Sequence, residues 1–189
     1  KATGTESSSS SCVAVPSCIS LDNVRSVFFC ESAFDAMAFY QMNRILIGVS
    51  AALASRGGTC TDRQITGVMD RFPNARAFDC FDNDLAGRIY GLRMMALQEG
   101  IQMKISRTDG GIRIEAKGKV FEPDMERPLL TQVARLLNIR YRMGQWLPPK
   151  AFKDWNDCLL NRPMEPVISP HKEEREQNLS EQRNKGRKI

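Results

Sequence analysis

The sequence predicts an α/β fold, a central parallel sheet of about four strands flanked by helices. Three observations carry this. Short apolar runs rich in β-branched and aromatic residues recur between Val27 and Ser106. Amphipathic stretches long enough for helices separate them, as parallel strands require for their crossovers. Helix punctuation falls in the gaps: Ser32, Thr61 and Asp84 stand before such stretches, and Gly100 follows one.

Val27–Cys30 is a compact apolar run and reads as a buried strand. Ser32–Met42 reads as a helix, with Ala33, Ala36, Met37 and Tyr40 at helical spacing. Ile45–Val49 is apolar and β-branched, and reads as the second strand; a loop through Ala51–Cys60, containing Gly57 and Gly58, follows. Thr61–Phe72 is a helix opened by the capping box Thr61-x-x-Gln64. Ala75–Phe81 is the third strand, Leu85–Glu99 a helix stopped by Gly100, and Ile101–Ser106 the fourth strand. Beyond it the pattern predicts a hairpin in Gly110–Val120, a helix over Leu129–Leu137, and a short helix in Lys153–Leu160 opened by Asp154. There is no internal repeat.

A chain of 189 residues suits one domain with tails. Residues 1–22 read as a flexible polar segment, 23–165 as the domain with 107–149 as a basic insertion, and 166–189 as a flexible charged tail. The first residue is Lys1, which suggests a fragment or processed chain. No run of eighteen apolar residues and no signal peptide is present, so no membrane role is expected. None of the six cysteines forms a C-x-x-C pair, which argues against structural zinc. Cys30 and Cys80 lie inside apolar runs and read as small hydrophobes of a reducing, cytoplasmic protein. Residues 1–100 hold nine Lys/Arg against ten Asp/Glu, whereas residues 101–150 hold ten against five. A basic segment beside an acidic half suits a polyanion held near a metal, or an ordinary solvated surface.

In open parallel sheets, sites form at the carboxyl ends of strands. Glu31 follows the first predicted strand, and Asp82 and Asp84 follow the third. If those strands are neighbours, the carboxylates converge, and their repulsion is tolerable when a divalent cation neutralises it. Mg²⁺ favours a few carboxylates completed by waters and phosphate oxygens, with Mn²⁺ a close substitute. Capping offers a simpler account of some of these acids. Ser32-x-x-Asp35 and Asp154-x-x-Asp157 fit helix N-termini, and Asp84 fits a first-turn acid. Gly87 fits close helix–strand packing. Capping leaves Glu31 unexplained, as well as three acids at two strand ends on one side.

The residues then match a known pattern. Val27-Phe28-Phe29-Cys30-Glu31-Ser32-Ala33-Phe34-Asp35-Ala36 resembles the first motif of Toprim domains, a strand ending in Glu with Asp four residues on. Phe78-Asp79-Cys80-Phe81-Asp82-Asn83-Asp84-Leu85-Ala86-Gly87-Arg88 resembles the second, a strand followed by D-x-D-x-A-G-R. Lys153-Asp154-Trp155-Asn156-Asp157 resembles the Lys-Asp-x-Asn segment after the fourth strand. The style is most like primase-like Toprim proteins of plasmids and conjugative or mobilisable elements.

The resemblance implies roles. Glu31 would be a general acid/base or a metal-organising carboxylate. Asp82 and Asp84 would ligate Mg²⁺ (or Mn²⁺), with Asp35 and Asp154 holding a second ion or ordering the first shell. Arg88 would face phosphate, beside a basic surface of Arg113, Lys117, Lys119 and Lys153. The family's glycine-bearing turn after strand two would be Gly48-Val49-Ser50 or Gly57-Gly58. Asn156 stands where primases often carry another acid, which weakens the case for a full second metal site. A type IA topoisomerase needs a tyrosine on a large gate domain, and Tyr40, Tyr90 and Tyr141 all lie in or beside this small one. The implied function is Mg²⁺-dependent nucleotidyl transfer by a DNA primase-like enzyme in replication or mobilisation of a mobile element. The alternatives are a metal-dependent nuclease and a non-catalytic DNA-binding module. Implied partners are single-stranded DNA, nucleotides, and helicase or relaxase proteins of the same element.

Overall fold

The computed structural model describes residues 12–57 and 61–165. The expectations for residues 1–11 and 166–189, and for Gly58 to Cys60, lie outside the described residues.

The strands β1 (Cys12–Ala14), β2 (Ser26–Cys30), β3 (Ala51–Ser55), β4 (Arg76–Asp79) and β8 (Gly144–Gln145) form one sheet in the order β1-β3-β2-β4-β8. The run β3-β2-β4-β8 is parallel, and β1 joins antiparallel at the edge. The helices α1 (Ala33–Ile47), α2 (Asp62–Arg71) and α3 (Leu85–Gln98) provide the crossovers, and α4 (Leu129–Leu137) and α5 (Trp155–Leu159) follow. This is the expected α/β class. A second sheet of β5 (Met103–Thr108), β6 (Gly111–Ala116) and β7 (Lys119–Phe121) is antiparallel throughout.

Alternation along β2 builds two cores. Val27 and Phe29 point to one face, with Ile65, Phe72, Leu92, Met95 and the inner residues Ile112 and Ile114 of the second sheet. Phe28 and Cys30 point to the other, with Phe39, Cys80 and Trp155. On that second face Phe28 stacks on Phe78 at 4.8 Å between centroids, and Phe39 meets Trp155 edge-on at 5.0 Å. Burial of this cluster docks α1 and α5 beside the ends of β2 and β4.

Four sequence expectations are corrected. Ile45–Val49 is not a strand: α1 continues to Ile47, and Gly48 ends it at φ +67°. The strand is instead Ala51–Ser55, inside the expected loop. A short apolar run has no period of its own, so length and neighbours decide its state. Here Ile45 and Leu46 remain 89% and 73% exposed on the helix. The small alanines fill an interior position between β1 and β2, where backbone pairing on both edges outweighs their weak strand preference. Gly57, rather than Gly48, therefore belongs to the turn after the second parallel strand. The third correction concerns Ile101–Ser106. Its strand starts at Met103 and opens the antiparallel sheet, and the fourth parallel strand is the two-residue β8. Residues 12–22, expected to be flexible, contribute β1, anchored by partly buried Val13 and Val15.

Candidate metal centre

Parallel pairing of Phe29 with Asp79 brings the carboxyl ends of β2 and β4 side by side. Glu31 leaves one and Asp82 the other. Three helix N-termini meet this edge, each closed by a side chain. Ser32 accepts from the Asp35 N–H at 3.1 Å, Asp84 Oδ1 from the Gly87 N–H at 2.9 Å, and Asp154 Oδ1 from the Asp157 N–H at 2.7 Å.

Asp35, Asp82 and Asp154 each offer one carboxylate oxygen, and these three oxygens lie within 4.8 Å of one another. Asp35 and Asp82 are only 6% and 8% exposed. Capping uses the Asp35 backbone but not its carboxylate, which accepts from the Ser32 hydroxyl and, at 3.2 Å, from the Asn156 N–H on α5. Burial first, then the charges of Glu31 and Asp35, push the Asp82 carboxyl up to about 7. Lys153 opposes this from 3.5 Å, and lies 3.8 Å from Asp84. Three hard oxygen donors crowded this closely, one of them reluctant to ionise alone, fit a divalent cation of the Mg²⁺ or Mn²⁺ type. Glu31 and Asp84 flank the trio without belonging to it.

Glu31 is half-buried, and its nearest cation is Arg56, with Nη2 3.9 Å from Oε2. Burial raises the Glu31 carboxyl, while Arg56 pulls it back down. Arg56 is 3% exposed. Its guanidinium lies over the rings of Phe81, at 4.4 Å, and Tyr90, at 3.9 Å. Asp79 is 2% exposed. It accepts from Gln145 Nε2 at 3.0 Å and from the Phe81 N–H at 3.1 Å, and burial raises its carboxyl to about 6. Sequence reasoning assigned no role to Arg56, Asp79 or Gln145. An acid inside an apolar strand was the visible signal for Asp79, and an arginine beside two glycines was the only one for Arg56.

Residues 28–111 match the Toprim-like family model. A search of curated proteins and a search of solved structures each found no match. The Toprim-like segment contains Glu31, Asp35, Asp82 and Asp84, and Asp154 joins them from beyond its end.

The cationic residues singled out from sequence are dispersed. Lys153 is at the acids. Arg88, on the first turn of α3 in the Toprim-like segment, donates to the Met125 carbonyl. Arg113 pairs with Glu122 at 3.4 Å, and Lys119 donates to the Leu136 carbonyl at 2.6 Å, both on the second sheet. Lys117 occupies the exposed β6–β7 turn at φ +49°.

Asn83 ties the two halves of the centre together. Its Nδ2 donates to the carbonyls of Phe152 at 2.8 Å, Pro148 at 3.0 Å and Pro149 at 3.3 Å, and its N–H donates to the Lys153 carbonyl at 2.7 Å. Asn83→Asp would aim an acceptor at three acceptors. The expected cost is about 1–2 kcal/mol, read as a fall in melting temperature of roughly 5 °C. An unchanged melt would show that the loop is held elsewhere.

Proposed function

We propose that the chain is the catalytic Toprim domain of a DNA primase-like enzyme, carrying out nucleotidyl transfer on single-stranded DNA in replication or mobilisation of a mobile element. The observation that carries the reading is the trio Asp35, Asp82 and Asp154 beside Glu31 at the carboxyl edge of the parallel sheet. These aspartates would hold Mg²⁺, which when bound orients phosphate oxygens and neutralises their charge. Glu31 Oε1 is buried without a hydrogen-bond partner among the described residues. That lone pair is available to accept the proton of an attacking 3′-hydroxyl. Lys153, already beside Asp82 and Asp84, offsets acidic charge and is half-exposed toward an incoming phosphate. Asp84 divides its oxygens between the α3 cap and Lys153, which suits an organiser of the loop better than a sole ligand.

The test is Mg²⁺-dependent extension on a single-stranded template with nucleotides, in native protein and in Asp82→Asn. Nucleotide-dependent synthesis lost in the variant supports the reading. Mg²⁺-dependent cleavage without nucleotides replaces it by a nuclease. DNA binding indifferent to Mg²⁺, with neither reaction, replaces it by a binding module. Single-stranded DNA binding is expected to weaken with salt, each neutralised phosphate contributing about −0.7 to the slope of log K against log salt. Changing Arg113, Lys117 and Lys119 together to Ala should reduce that slope. Arg113 and Lys119 must exchange their present partners for phosphate, so the reduction falls short of three full contacts. An unchanged slope would place the DNA on another face.

A further inference from the structure

The side chain of Arg56 is 1% exposed, and none of its three nitrogens makes a well-formed hydrogen bond among the described residues, the Tyr90 hydroxyl being a polar side-chain partner besides Glu31. A guanidinium carries five donors, and burying them unmet is costly. Two features offset that cost. Phe81 and Tyr90, set edge-on to each other, form a corner of two rings around the charge, and Glu31 faces it at 3.9 Å. The register explains the meeting. Cys30 pairs with Ser55 across β2 and β3, so the next residue on each strand, Glu31 and Arg56, leaves the sheet alongside the other. An arginine serving packing alone would place its donors on carbonyls. This one is held in the corner of two rings; buried Asp79 acts on it electrostatically, but the acid that meets it within ion-pair distance is Glu31, beside the aspartate trio.

We infer that Arg56 is a positioning residue: it draws the Glu31 carboxylate away from Asp35, Asp82 and Asp154, so that Glu31 stays outside the cation's ligand set and faces the reacting group. This rests on the metal reading above and deepens it. Glu31 would otherwise be a flexible carboxylate next to a trio short of ligands, and a divalent cation would recruit it. The guanidinium competes for Oε2 from a fixed place, since the rings hold its plane. Oε1, with no partner among the described residues, is left to take a proton.

The experiment is calorimetric titration with Mn²⁺ alone, on native protein, Glu31→Gln, Arg56→Gln, the double variant and Arg56→Lys, each checked by thermal melt. Glu31→Gln in the native background should leave the Kd within about threefold, because Glu31 is not a ligand there. Arg56→Gln should tighten Mn²⁺ about tenfold as Glu31 joins the trio, and the double variant should lose that gain, a coupling typical of groups sharing one partner. Arg56→Lys keeps the charge but not the ring-held plane, and should fall between native and Arg56→Gln. A gain that persists in the double variant would mean that Arg56 acts only as a nearby positive charge, and would overturn the inference. A tenfold loss on Glu31→Gln alone would make Glu31 a ligand and also overturn it, even if Arg56→Gln fails to fold. If native protein takes up no Mn²⁺ and Asp82→Asn changes nothing, the metal reading falls first and this inference with it.

Discussion

Asp82→Asn raises the melting temperature of the metal-free protein above neutral pH and removes most of the stabilisation that Mg²⁺ gives the native chain. Folding forces Asp82 into a mostly buried place beside Glu31 and Asp35. Neutralising it relieves repulsion of about 1 kcal/mol at an effective dielectric near that of a protein surface. The pH dependence follows from the raised carboxyl. Its value moves from 3.8 unfolded to about 7 folded, so its charged form is disfavoured in the native state. The stability linked to it is fully present below the unfolded value and is lost as pH rises through about 7. At pH 5 the folded Asp82 is neutral while the unfolded carboxyl is already charged, so the substitution gives only part of its gain; at pH 8 it gives all of it, and the variant is the more stable in EDTA. Mg²⁺ reverses the order. It binds the folded cluster and contributes RT ln(1 + [Mg²⁺]/Kd), about 2.7 kcal/mol at a hundredfold excess over Kd. The variant lacks a ligand, so its Kd rises and the shift shrinks. Thermal melts at both pH values, in EDTA and in millimolar Mg²⁺, check this. A variant less stable than native in EDTA at pH 8, with the full Mg²⁺ shift retained, would make Asp82 a structural acid.

Gly87→Ala is expected to disrupt the same centre through packing. A Cβ at Gly87 would stand 2.2 Å from the Asp82 carbonyl oxygen and 2.8 Å from its nitrogen. Both are backbone atoms of the loop that carries the acid, and neither can rotate aside. Helix α3 must move off the end of β4, or the Asp82–Asp84 turn must deform. Overpacking of this kind costs about 3 kcal/mol, a fall of roughly 6–12 °C for a chain of this size. Mn²⁺ affinity should fall with it, because the displaced segment carries Asp82. A methyl at Gly67, which has nothing within 4 Å, serves as the control. Ala replacing Gly lowers the entropy of the unfolded chain and favours a helix interior, so Gly67→Ala should be neutral or slightly stabilising. Equal melts for Gly87→Ala and native would mean that the contact at Asp82 relaxes freely.

Much of this centre is local in character and was therefore legible in the order of residues. An acid directly after a buried strand lies at the sheet's carboxyl edge wherever the strand sits, which places Glu31 and Asp82. Cap geometry depends on four consecutive positions, and Ser32, Thr61 and Asp154 cap the helices their spacing announced. Competition between segments was not legible. Ile45–Ile47 has the stronger strand composition, yet it completes α1, because the sheet interior needed the small side chains of Ala51–Ser55. The grouping of Asp35 with Asp154 was decided by α1 packing on α5 through Phe39 and Trp155, far apart in the chain. Arg56 was hidden for the same reason. A charge is fit for burial only through its neighbours, and the neighbours of Arg56, namely Glu31, Phe81 and Tyr90, are supplied by three other elements once strand register and helix docking are set.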